Sequence, residues 1–185
     1  MEAKKDLRQA VQLRLLAQSV QDRARRSKVV ETKLWSCQEF QKAKWVFFFV
    51  SMPEEVDTHT MIDRALAEGK RVAVPCSDLK TKKLFFYEIS DRNSHLKPGA
   101  CGILEPDSSR GKEVAPTQAT CVIVPGVVFD KKNHRIGHGA GFYDRFLDRL
   151  DPTIKKIGLA YSFQVMIKDL PQEVHDVVLD EVITD

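Results

Sequence analysis

The sequence predicts an α/β domain built on a largely parallel sheet, and three observations carry that expectation. Several short runs rich in β-branched and aromatic residues lack polar alternation, as strands covered on both faces do. Helical segments alternate with these runs along the chain. The chain has 185 residues, 43% hydrophobic and 30% charged, which suits one globular domain with its own core.

The first 36 residues read as two helices (about 2–36) docked on the α/β core. Leu7, Val11 and Leu15 fall at i, i+4 and i+8, a narrow apolar stripe on the first helix. The second begins at Ser19, where Ser-Val-Gln-Asp resembles a capping box with Asp in place of the longer Glu, and runs to about Trp35. Residues 44–50, KWVFFFV, form the first buried strand. A helix over residues 57–69 follows, with Asp57 as its expected N-cap and Gly69 at its end. Residues 71–75 and 84–89 are strands, and residues 90–120, polar and rich in Gly and Pro, read as a long excursion with little regular structure. A strand at 121–125, a helix at 141–150 and a strand at 156–161 complete the order. No repeat or linker interrupts the chain, so residues 1–185 are expected to form one domain.

The net charge of +3, from 29 basic and 26 acidic residues, is too small to argue for nucleic acid. Its placement is uneven, with nine cations against four acids in residues 1–33. Cys37, Cys76, Cys101 and Cys121 form no CxxC pair, which argues against a zinc site or a disulfide framework. Cys76 and Cys121 read as small core residues. The N-terminus lacks the apolar core of a signal peptide, and no run approaches the roughly 20 apolar residues of a membrane span. A reduced cytoplasmic monomer without membrane contact is expected, and a mitochondrial pool is compatible with the sequence.

The most informative stretch is residues 124–147. A buried strand ends at Pro125, a turn runs through residues 130–133, and Gly137, Gly139 and Gly141 lead into an amphipathic helix. Alternating glycines let successive backbone N–H groups converge on an anion, and a helix start adds unpaired N–H groups. Arg135 and His138 supply side-chain donors. This is phosphate-site chemistry at the C-terminal end of a strand, where open α/β sheets bind ligands. The same glycines also suit a purely packed strand-to-helix turn. The stretch is neither a Walker A motif, lacking GK[ST], nor a dinucleotide fingerprint, its third glycine coming too early.

Asp144, in the first turn of the helix, complements the helix dipole, and beside a phosphate it also suits Mg²⁺. Asp180 supplies a second carboxylate if the C-terminal strand returns beside this loop. Lys4 and Arg8 share the angular sector of Leu7, Val11 and Leu15, so two cations lie on the inward stripe. They either snorkel from a frayed end or reach a bound polyphosphate. Glu54 and Glu55 follow the first strand, where one can face a ligand. No Ser-His-Asp or Cys-His set stands out.

These residues together resemble the 5-formyltetrahydrofolate cyclo-ligase family, also called 5,10-methenyltetrahydrofolate synthetase, and above all its animal-type members. The likeness rests on Lys4-x-x-x-Arg8, FVSMPEEVDT at 49–58, PGVVFD at 125–130, Arg135-x-Gly-x-Gly-x-Gly-Phe-Tyr-Asp144, and VLDEV at 178–182. It implies a three-layer α/β/α domain with a mostly parallel sheet. It implies ATP- and Mg²⁺-dependent cyclisation of 5-formyltetrahydrofolate to 5,10-methenyltetrahydrofolate through phosphorylation of the formyl oxygen, with ADP and phosphate released. It places ATP against Lys4, Arg8, Arg135, Ile136, Gly137, His138, Gly139, Ala140, Gly141, Phe142 and Tyr143. The folate falls against Val50, Glu55, His138, Gly139, Ala140, Gly141 and Phe142. Arg135 and Asp144 become the catalytic residues, and Asp144 and Asp180 hold Mg²⁺.

Three positions depart from the family pattern. His138 stands where Arg is usual, Ala140 where Lys or Gly is frequent, and Phe142 where Tyr is common. Fewer cations imply altered nucleotide affinity with the glycine backbone donors retained. Two other readings compete: a sugar-phosphate isomerase-like or acyl-CoA-processing enzyme, which would not need Lys4, Arg8 or the Asp144 and Asp180 pair, and an RNA-binding module using residues 1–33, which lack aromatics.

Overall fold

Helix α1 (Glu2–Leu16) turns Val11 and Leu15 inward, and α2 (Val20–Ser36) buries Val30 and Leu34 beside them. A computed structural model describes residues 2–99, 102–107, 109 and 111–185; Cys101 lies outside the described residues. Ser19 caps α2 by accepting the Asp22 N–H at 3.0 Å, and its hydroxyl donates to the Asp22 carboxylate at 2.8 Å. The shorter Asp thus answers the cap's hydroxyl and does not reach back to its N–H.

A short helix, α3 (Gln38–Lys42), precedes β1 (Trp45–Phe47), and α4 (His59–Ala67) links β1 to β2 (Arg71–Asp78). Thr58 is the residue before α4, and Asp57 contributes by accepting the His59 N–H at 2.8 Å. β3 (Lys83–Ile89) returns antiparallel to β2. Residues 90–120 carry more regular structure than their composition suggests. They form α5 (Arg92–His95), a hairpin of β4 (Leu96–Pro98) and β5 (Leu104–Pro106), and β6 (Lys112–Val114), which extends the sheet beside β3. Backbone ladders supply the order that side-chain pattern does not advertise.

The chain continues through β7 (Cys121–Val124), β8 (Val128–Asp130), β9 (Arg135–Ile136), α6 (Phe142–Leu147), β10 (Lys155–Ala160), β11 (Val165–Met166) and β12 (Glu181–Thr184). The main sheet runs β12-β10-β7-β1-β2-β3-β6, parallel from β12 to β2 and antiparallel at β3 and β6. Successive side chains of the central strands point to opposite faces. Val46, Val72, Ile123 and Ile157 pack with residues of α1, α2 and α4. Phe47, Ala73 and Val122 pack with Phe146 and Leu147 of α6. The arrangement is a mixed α/β fold with helices on both faces of a mostly parallel sheet.

Phe47 stacks on Phe86 with ring centroids 4.7 Å apart, and Phe86 lies 4.6 Å from Phe146, so α6 is pinned to the sheet by aromatic contact. Cys121 is fully buried, and burial pushes its thiol pKa up. Cys76 is half-buried beside Glu105 and so is not a core residue. No helix of the described residues is long and apolar enough to cross a membrane.

Candidate functional site

The site gathers where the parallel strands β1, β7 and β10 end, at the edge of the sheet that open α/β folds use for ligands. After β7 the chain forms the β8–β9 hairpin, whose turn is organised by Asp130. That carboxylate is 1% exposed and accepts N–H groups of Lys132 at 2.9 Å, His134 at 3.0 Å and Leu170 at 2.9 Å. Burial alone would raise its pKa, but these donors and the His134 ring outweigh it and hold the group below the usual carboxylate range. The turn fixes the direction in which β9 delivers Arg135.

Arg135 is 5% exposed and its Nη1 donates to Asp144 Oδ1 at 2.8 Å. Among the described residues its Nε is buried without a hydrogen-bond partner, as is the Tyr143 hydroxyl, whose pKa burial pushes well up. Buried donors are seldom left unpaired, so these two atoms are open to a water or to a ligand group.

Between β9 and α6 the loop adopts backbone that requires glycine. Gly139 has φ +103° and Gly141, the residue before α6, has φ +67°. Arg8 Nε donates to the Gly137 carbonyl at 2.8 Å from α1, and Arg145 donates to the Ala140 carbonyl at 2.6 Å from α6. Two arginines thus take the loop's carbonyls. Among the described residues, the backbone N–H groups of residues 137–143 donate to no protein acceptor. A run of free N–H groups flanked by guanidinium groups suits a polyanion.

Lys4 reaches the same region but is occupied: its Nζ lies 2.5 Å from Asp176 Oδ2 and 3.6 Å from Glu173 Oε1. The segment carrying Asp176 passes Asp144, with the Val177 N–H 3.4 Å from Asp144 Oδ1. Asp180 stands apart in its contacts. Its Oδ2 accepts the Lys156 N–H at 2.7 Å and lies 3.3 Å from Lys156 Nζ. Among the described residues, the cluster of three metal-ligand side chains is Cys37, Glu39 and Glu181, and neither Asp144 nor Asp180 belongs to it.

On the other side of the loop, Glu55 Oε1 sits 3.3 Å from His138 Nε2, and Glu55 Oε2 accepts the Met52 N–H at 2.9 Å. The segment after β1 is held by Tyr161, whose hydroxyl donates to the Glu55 carbonyl at 2.8 Å, and by Thr58, which donates to the Phe49 carbonyl at 2.7 Å. Val50 is buried there, Ile136 is buried below the loop, and the Arg145 guanidinium lies 5.9 Å from the Phe142 ring. A cavity of about 420 Å³ opens between α2, residues 51–59 and residues 102–104, with Glu55 in its wall.

The structure therefore joins Arg8 to the glycine loop, Arg135 to Asp144, and Glu55 to His138. Sequence reasoning missed Asp130, Asp176 and Arg145. Arg145 was detectable, being one helical turn after Gly141; Asp130 closes the PGVVFD segment but its partners lie elsewhere in the chain, and Asp176 carries no local pattern.

The model of the 5-formyltetrahydrofolate cyclo-ligase family matches residues 1–185 of this chain. The chain is 28% identical to the mouse 5-formyltetrahydrofolate cyclo-ligase, over 98% of this chain and 93% of the mouse protein. It is 31% identical to the probable 5-formyltetrahydrofolate cyclo-ligase of Caenorhabditis elegans, over 98% and 92% of the two chains. The solved 5,10-methenyltetrahydrofolate synthetase of Aquifex aeolicus superposes with a TM-score of 0.84 at 33% identity, covering 97% of this chain and 88% of that one.

Proposed function

The chain belongs to the 5-formyltetrahydrofolate cyclo-ligase family and is an enzyme of that family, and we propose that it converts 5-formyltetrahydrofolate to 5,10-methenyltetrahydrofolate by spending ATP at the loop of residues 137–143. The observation that carries this reading is the run of uncommitted N–H groups walled by Arg8 and Arg135.

The chemistry needs such a loop. The N5-formyl group is amide-like, and its oxygen is a poor leaving group. Transfer of the γ-phosphoryl group of ATP to that oxygen makes an N5-iminium phosphate and releases ADP. The N10 lone pair then attacks the former formyl carbon, N10 loses its proton, and the C–O bond breaks with its electron pair leaving on phosphate. The cyclic methenyl cation remains. Phosphoryl transfer depends on positioning and on neutralising phosphate charge, and it needs no protein nucleophile.

Arg135 serves by pointing a buried guanidinium at the phosphates while Asp144 fixes its orientation. Arg8 holds the Gly137 carbonyl, which keeps the loop's N–H groups turned towards the anion. Glu55, already bonded to His138, is placed to orient the pterin by hydrogen bonding. Lys4 contributes charge to ATP if Asp176 yields it.

Asp144 and Asp180 are the carboxylates that would hold Mg²⁺. Among the described residues, Asp144 commits only Oδ1, to Arg135 and Val177, and Asp180 commits only Oδ2, to Lys156. Each keeps one carboxylate oxygen, and Mg²⁺ takes one or two carboxylates together with phosphate oxygens. When bound, the ion would neutralise charge on the transferring phosphoryl group.

The test is direct. The protein is mixed with 5-formyltetrahydrofolate and Mg-ATP, and the near-ultraviolet absorbance of the methenyl product is followed. Growth of that band only when ATP is present supports the reading, and its absence under all conditions refutes it.

A further inference from the structure

We propose that Arg23 binds the carboxylate-bearing glutamyl end of the folate and so sets the enzyme's preference for glutamylated substrate; this rests on the folate reading above.

Arg23 lies in the wall of the 420 Å³ cavity that also contains Glu55. It is half-buried, yet no hydrogen bond or ion pair holds its guanidinium among the described residues. Its neighbours on α2 are all engaged: Arg25 with Asp22 at 3.3 Å, Arg26 with Asp185 at 2.7 Å, and Lys28 with Glu31 at 2.8 Å. Asp57 lines the same cavity but accepts the His59 N–H and makes no ion pair with Arg23. A half-buried cation on a cavity wall gains from an anion beside it, and the five donors of a guanidinium match a carboxylate in bidentate geometry.

The cavity is also framed rigidly. Ser27, one turn beyond Arg23, accepts the Asp57 N–H at 3.0 Å and bonds the Tyr161 hydroxyl at 3.2 Å. Tyr161 in turn holds the Glu55 carbonyl. The cation on α2 and the carboxylate after β1 are therefore set by one hydrogen-bonded frame. Between them Val20, Met52 and Leu104 give the wall apolar surface. A folate has the complementary sequence of groups: ring N–H donors for Glu55, an aromatic benzoyl group for the apolar wall, and glutamyl carboxylates for Arg23.

The experiment compares the full-length enzyme and its variants on 5-formyltetrahydrofolate and on 5-formyltetrahydropteroate, which lacks the glutamate. Wild type should show a KM roughly tenfold or more lower for the glutamyl substrate, the size of a charged hydrogen-bonded contact. Arg23→Gln should raise that KM towards the value for the truncated substrate, with kcat and the KM for ATP unchanged. Arg23→Lys should retain part of the preference. The proposal is overturned if Arg23→Gln keeps the preference, raises both folate KM values equally, or raises the KM for ATP instead, which would make the anion a nucleotide phosphate. Equal use of both folates by wild type overturns the Arg23 role alone, whereas no turnover of either removes the cyclo-ligase reading as well.

Discussion

Asp144→Asn separates two roles that one carboxylate is asked to fill. The Arg135 side chain is 2% exposed and that of Asp144 is 24% exposed, so the guanidinium depends on this partner while the acid is partly wet. Full removal of one member of a buried pair costs about 3–5 kcal/mol, because a charge stays buried and uncompensated. Asn keeps an oxygen that can accept from Nη1, and water reaches the position, so the loss reduces to about 2 kcal/mol, the difference between a charged and a neutral hydrogen bond plus residual desolvation. In a domain of this size that corresponds to a fall in Tm of roughly 4–8 °C. The assay is urea unfolding followed by tryptophan fluorescence, paired with turnover across a Mg²⁺ titration. The variant should unfold earlier and need more Mg²⁺ for half-maximal rate. Asp148→Asn, at an exposed position one turn on, should shift stability by less than about 0.5 kcal/mol. If Asp144→Asn matches wild type in both stability and Mg²⁺ dependence, the structural and the metal roles both fall.

Three further outcomes are expected. Gly139→Ala forces a residue with a Cβ to φ +103° at a cost on the order of 1–3 kcal/mol, while the new Cβ would meet the Arg8 guanidinium at an ordinary 3.6 Å. The backbone should therefore distort, and an unchanged KM for ATP would contradict the loop's role. His138→Arg restores a cation beside Glu55 and should lower the KM for ATP; no change would show that the departure at this position is neutral. Asp130→Asn should destabilise the protein by about 2 kcal/mol at neutral pH. Because Asp130 titrates below its ordinary value in the folded state, its contribution is complete above the unfolded pKa of about 4 and disappears as pH falls through the lower folded value. The gap in denaturation midpoint between wild type and variant should close on acidification, and a gap that widens instead would reverse the sign argued here.

Much of this was legible because periodicity and burial act on adjacent residues. Val11 and Leu15 of the apolar stripe are buried with Leu7 half-buried beside them, residues 46–50 of the run at 44–50 are buried while Lys44 is exposed, and the capping Ser19 starts α2 where the pattern placed it. Residues 90–120 were not legible, since β6 owes its place to backbone pairing with β3. Candidate site residues were readable where glycines enforced a loop. Lys4 shows the limit: its helical face predicted that it turns inward, but its nearest charges, Asp176 and Glu173, are some 170 positions away in sequence. Asp130 closes the PGVVFD segment, but nothing in that segment announces its buried role, and only the folded chain brings Leu170 to it.

The most direct measurement of the central claim follows one oxygen atom. 5-Formyltetrahydrofolate labelled with ¹⁸O in its formyl group is converted with unlabelled ATP in unlabelled water, and the released phosphate is weighed by mass spectrometry. Phosphorylation of the formyl oxygen predicts one ¹⁸O in each phosphate formed. Unlabelled phosphate, with the label lost to water, would contradict it.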